Sequence, residues 1–169
     1  VARTPSSIQT QAERWGAEAK RLADNGDVPG AFDLYRKAAE ALPGAPWLQH
    51  RTADMARKLG QHELSIHYFR RSADGFIRAG FPRRGIAPLR LAWTLARSAL
   101  PQHLDVFGDI SQTLVNLQRQ LELLADAEVT ADQTEEALRH AGIRGEPAPL
   151  HSILRTADST RITLAPSQG

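Results

Sequence analysis

Residues 12–45 read AERWGAEAKRLADNGDVPGAFDLYRKAAEALPGA, and residues 46–79 read PWLQHRTADMARKLGQHELSIHYFRRSADGFIRA. Laid over each other at an offset of 34 residues, they pair Ala19 with Ala53, Gly26 with Gly60, Ala31 with Ser65, Tyr35 with Phe69 and Ala38 with Ser72. A self-similarity of this length marks a helix–turn–helix unit that cannot bury its apolar face alone and must stack on a neighbour. It points to a surface for holding partners rather than to a catalytic centre.

The local signals agree with that unit. Ile8, Ala12, Trp15, Ala19, Leu22 and Ala23 recur every three to four residues and predict a helix from about residue 7 to 25, ended by Gly26. Asp27 is placed to cap a second helix, with Pro29 in its first turn, where a missing N–H costs nothing. Pro43-Gly44-Ala45-Pro46 breaks that helix after Leu42. A third helix is predicted over about 47–59, a fourth over 62–79 and a fifth over 84–99, with Pro88 in the first turn of the fifth.

From Pro101 a single long helix is predicted, over about 101–126. Phe107, Leu114 and Leu121 are spaced by seven, with Ile110, Leu117 and Leu124 at the same spacing between them. This heptad-like stripe is expected to cap the open end of the helical stack. The alternative use is a homodimer seam or the seat of a partner helix. Thr130 or Asp132 would cap a short helix over about 133–141, closed by Gly142. The expected organisation is a repeat domain with its capping helix over 7–127, a short helix within 128–143 and an irregular tail or linker over 144–169. Leu150, Ile153 and Leu154, and the stretch Arg161–Leu164, are the parts of the tail able to dock.

The first copy resembles a tetratricopeptide repeat (TPR). Trp15, Ala19 and Leu22 stand at the large, small and large sites of its first helix, Gly26 at the turn, Ala31, Tyr35 and Ala38 in the second helix, and Pro43 at the terminal proline. The second copy carries Ala53, Gly60, Ser65, Phe69 and Ser72 but has Gln49 at the tryptophan site and Ile77 at the proline site. A third copy, Phe69, Ala73, Phe76, Gly80, Gly85, Leu89 and Ala92, follows at an offset of only 20 residues, so one helix would end the second unit and start the third. The resemblance covers about residues 8–98. It implies an all-α short right-handed solenoid of antiparallel hairpins whose first helices line a concave groove that binds peptides or protein surfaces.

Carried over residue by residue, that groove presents Glu13 and Lys20, then Trp47, His50, Asp54, Arg57 and Lys58, then His67, Arg70, Asp74 and Arg78. It is mainly basic with one aromatic, which suits an acidic peptide or an acidic helix. The other reading of Trp47 is packing against Leu42 or Phe69 at the repeat junction.

The net charge of +2 hides an uneven distribution. Residues 51–100 carry ten Lys or Arg against three acids, and residues 101–169 carry five against ten. Arg70, Arg71, Arg78, Arg83, Arg84, Arg90 and Arg97 form a candidate anionic-ligand patch, with nucleic acid as the alternative partner. No nucleic-acid-binding motif accompanies it, and Arg supplies 18 of the 21 basic residues throughout. The same arginines are also placed to pair with acids of the 101–146 region. No cysteine is present, so disulfides and thiolate metal sites are excluded. His62 and His67 are five apart, which puts them on different faces of a helix, and no metal or cofactor is expected. No HExxH, phosphate-binding loop or nucleophile elbow occurs. No apolar run approaches the roughly 20 residues of a membrane span, so no membrane insertion is expected. The expected location is cytoplasmic, with the periplasm as the alternative because the chain starts at Val1 rather than Met. The sequence therefore reads as a non-catalytic adaptor or scaffold.

Overall fold

The computed structural model describes residues 7–142. Seven helices run through them: α1 (Ser7–Asp24), α2 (Val28–Ala41), α3 (Pro46–Lys58), α4 (His62–Arg78), α5 (Pro82–Ser98), α6 (Leu104–Gln120) and α7 (Leu124–His140). No strand occurs among the described residues. Each helix packs on the next one in the chain, so the fold is an all-α helical repeat. The expected tail over 144–169 lies outside the described residues. Among those described, no helix is long and apolar enough to cross a membrane.

The same turn recurs between helices. After α1, the Gly26 N–H bonds to the Ala23 carbonyl and the Asp27 N–H to the Leu22 carbonyl, at 3.1 and 2.9 Å. After α3, Gly60 and Gln61 repeat these bonds to Arg57 and Ala56 at 3.0 and 2.9 Å. Gly26 and Gly60 hold φ of +84° and +72°, a conformation that a Cβ disfavours, which is why glycine recurs at the repeat spacing. Asp27 caps α2 as its sequence implies, accepting the Gly30 N–H at 3.0 Å.

Small residues let the paired helices approach closely. Ser65 Oγ donates to the Ala53 carbonyl at 2.9 Å, and Ser72 Oγ to the Pro46 carbonyl at 2.9 Å, joining α4 to α3. On another side of α4, a Cβ at Gly85 of α5 would stand 3.3 Å from the Ala73 carbonyl oxygen and 3.2 Å from Ile77. α4 thus serves two hairpins with two faces, Ser65 and Ser72 toward α3 and Ala73 and Ile77 toward α5. The 20-residue offset between Gly60 and Gly80 is the sequence trace of this shared helix.

Three expectations are corrected. The single helix predicted over 101–126 is two helices, α6 and α7, reversed at Glu122, which holds φ +60°. Glu122 and Leu123 make the glycine-type turn bonds to Arg119 and Gln118 at 3.0 and 2.8 Å without a glycine to announce them. The predicted seam therefore divides. Phe107, Ile110, Leu114 and Leu117 are buried in the chain's own core, Leu121 is half-buried, and Leu124 opens α7 at 61% exposure. Those four core side chains are spent on internal packing and do not offer a homodimer seam.

The short helix predicted from Gln133 begins at Leu124 instead. Thr130 is not a cap but lies buried within α7, where its hydroxyl donates to the Asp126 carbonyl at 2.8 Å. Asp132 likewise falls inside that helix. Finally, α5 starts at Pro82, so Pro88 falls beyond its first turn, where the Arg84 carbonyl receives no helical N–H from the proline.

Candidate functional site

Helix α3 turns one continuous stripe outward. Trp47, His50, Arg51, Asp54, Arg57 and Lys58 are spaced by three and four, while Leu48, Gln49, Thr52, Ala53, Met55 and Ala56 are buried on the other side. The inward half is fixed by α2 and α4: Gln49 Nε2 donates to the Ala39 carbonyl at 3.1 Å, and Ser65 bonds to Ala53. Trp47 stays 46% exposed at the head of the stripe. Its ring lies against Gly16 of α1, where a Cβ would come within 3.1 Å of Cη2.

Charges along the stripe are partly tied together. Asp54 lies 3.5 Å from Arg57 and 3.7 Å from His50. His50 also meets Phe69 edge-on, with ring centroids 5.1 Å apart. Burial holds the His50 imidazole below the ordinary histidine range; Asp54 pulls it back up and Arg51 pushes it further down. Lys20 belongs to the same region. It pairs with Asp24 at 2.6 Å, and Lys20, Asp24 and Arg51 all act on the Tyr35 phenol, whose pKa is raised chiefly by burial. Arg51 is thus a member of the surface that the repeat register alone does not pick out. Its spacing of four from Trp47 and three from Asp54 is the signal that finds it. Glu13 is exposed on α1 and accepts a bond from Gln9 at 3.2 Å.

The residues carried over onto α4 do not join this stripe. His67, Asp74 and Arg78 are exposed on the side of α4 opposite Ser65 and Ser72, which meet α3. Arg70 instead reaches α6, where it lies 3.4 Å from Asp109. The sequence-derived groove is therefore split: Lys20, Trp47, His50, Arg57 and Lys58 stand together, and His67, Arg70 and Arg78 stand apart from them. The reason is the orientation of α4, which meets α3 through Ser65 and Ser72 and so turns His67, Asp74 and Arg78 outward on the side away from α3.

The seven-arginine patch is likewise divided. Arg71 is half-buried beside His67, whose pKa is lowered by burial and then by Arg71 and Arg70. Arg78 bonds back to the Asp74 carbonyl at 3.4 Å, and Arg84 stacks over Phe81 at 5.1 Å. Arg83, Arg90 and Arg97, spaced by seven, share one exposed face of α5. Arg97 stacks over Trp93 at 5.4 Å, and Arg90 lies 3.8 Å from Asp126 of α7. Beside that pair, a crevice of about 220 Å³ runs between α5 and α7, lined by Arg90, Thr94, Val129, Thr130 and Gln133, with Trp93 and Leu114 at its floor. No protein-family model matches this chain, and no curated protein matches it either.

Proposed function

We propose that this chain is a TPR-type interaction adaptor that recognises an acidic or amphipathic protein segment and carries out no chemistry itself. The observation that carries the reading is the α3 stripe. Arg51, Arg57 and Lys58 outnumber Asp54 there, and Trp47 supplies an aromatic face half open to solvent. Lys20 extends the basic side across to α1. A rigid helix holds these donors at fixed spacing, so little conformational entropy is lost when an extended or helical acidic segment docks. Arginine offers bidentate bonds to carboxylates, and the tryptophan offers a contact that survives salt.

The test compares three baits in affinity capture after nuclease treatment: the natural chain, Arg51→Glu with Lys58→Glu, and Arg70→Glu with Arg78→Glu. A protein kept by the natural chain and by the second pair, but lost by the first pair, supports the reading. Loss through the second pair alone moves the site to α4. Recovery of nucleic acid only, with the signal removed by nuclease, replaces the reading with nucleic-acid binding.

A further inference from the structure

Helix α5 carries Arg83, Arg84, Arg90 and Arg97 and no acidic residue. Helix α7 carries Asp126, Glu128, Asp132, Glu135 and Glu136 against one arginine, Arg139. The fold brings these opposite charges together at Arg90 and Asp126. Yet the fit is loose. The crevice of about 220 Å³ lies between the two helices, and their ion pair is more than half exposed on both sides at 3.8 Å. The buried side of α7 is Ala127, Thr130, Thr134, Ala137 and Leu138, mostly small, while Val129 and Leu124 stay 52% and 61% exposed. On α6, Gln118 is fully buried on the same side as Ser111, and neither its amide oxygen nor its nitrogen has a hydrogen-bond partner. α7 packs on α6 through Ala127 against Val115 and Thr134 against Ser111, and the chain enters it by the turn at Glu122, held in a conformation that costs a non-glycine residue free energy.

A helix that meets this face through one half-exposed ion pair, beside a crevice it does not fill, is suited to being exchanged. We propose that the arginine face of α5 around Arg90 is a docking surface for an acidic helix of a partner protein, and that α7 occupies this face in cis as its built-in competitor. The incoming helix needs carboxylates to meet Arg83, Arg90 and Arg97. It also needs a larger apolar side chain than α7 offers, to fill the crevice beside Trp93 and Leu114. This surface is distinct from the α3 stripe, and its test leaves that stripe untouched.

The probe is a fluorescent synthetic peptide of residues 124–140, added to the full chain. Asp126→Lys sets a like charge against Arg90, and Ala127→Glu places a carboxylate where a buried alanine stands. Both are expected to free the seat and to bind the peptide about tenfold more tightly than the natural chain. Adding Arg90→Glu to either variant is expected to return binding to the natural level. If Ala127→Glu does not melt cooperatively, Asp126→Lys alone decides. Release variants that melt cooperatively and bind no better than the natural chain overturn the proposal. So does equal binding of a scrambled peptide of the same composition.

Discussion

Trp93 Nε1 donates to Ser111 Oγ at 2.9 Å, and that hydroxyl in turn donates to the Phe107 carbonyl at 2.8 Å. Thr134 Oγ1 approaches the same Ser111 oxygen at 3.3 Å, so one serine links α5, α6 and α7. Ser111→Ala leaves the buried indole N–H without its acceptor. The expected loss is about 1–3 kcal/mol, read from urea unfolding. A loss confined to a few tenths would mean that the indole finds another partner.

Glu122 holds the left-handed backbone that glycine holds at Gly26 and Gly60. Glu122→Gly relieves that cost and loses no contact of the α6–α7 turn bonds, which are made by backbone alone. The substitution should stabilise the fold by about 0.5–1 kcal/mol. A lower melting temperature would show that the glutamate side chain contributes more than its backbone costs.

Ala38 is fully buried in the first hairpin, within the cluster of Ala12, Ala19, Ala31, Tyr35 and Leu48. Ala38→Leu inserts three carbons into a space built for one, and should cost about 1–3 kcal/mol. Thermal unfolding of the two chains side by side checks it; an unchanged midpoint would mean that this hairpin opens freely.

Both His50 and His67 are held below the ordinary histidine range, first by burial. The unfolded chain therefore takes up protons before the folded one as pH falls. Stability is at its full value above the ordinary histidine pKa of about 6.5 and falls as pH drops through it, until the lower folded value is reached. The urea midpoint should be lower at about pH 5.5 than at about pH 7.5, and His50→Gln should narrow the gap. A gap left unchanged by His50→Gln would assign the effect to other groups.

The hairpins around Gly26, Gly60 and Gly80 are legible because a left-handed turn residue recruits glycine, and glycine is visible in a sequence. The reversal at Glu122 is not, because backbone bonds alone make it and no residue type advertises it. The stripe from Phe107 to Leu117 reads correctly as apolar helix, and Leu121 and Leu124 continue its rhythm although the chain has already turned. Thr130 and Asp132 look like caps because short polar side chains favour helix starts, but at Thr130 the bond to the Asp126 carbonyl satisfies the hydroxyl inside a helix. On the surface, the residues that the repeat resemblance implies on the third helix, Trp47, His50, Asp54, Arg57 and Lys58, lie on one side of α3. Those it implies on α4, His67, Arg70 and Arg78, lie on other sides of the molecule, because a one-dimensional pattern does not say which sides of α4 meet α3 and α5.

The sharing of α4 also limits how this architecture can grow. In a strictly modular array, stability is a sum of unit and interface terms, and whole units can be duplicated or lost. Here, α4 meets α3 through Ser65 and Ser72 and α5 through Ala73 and Ile77, so loss of α3 or of α5 alone strips one side of α4 of its neighbour. The three helices are therefore expected to melt together rather than one by one. Length is expected to change by whole hairpins at the ends, α1–α2 across the break at Pro43–Ala45 or α6–α7 beyond α5.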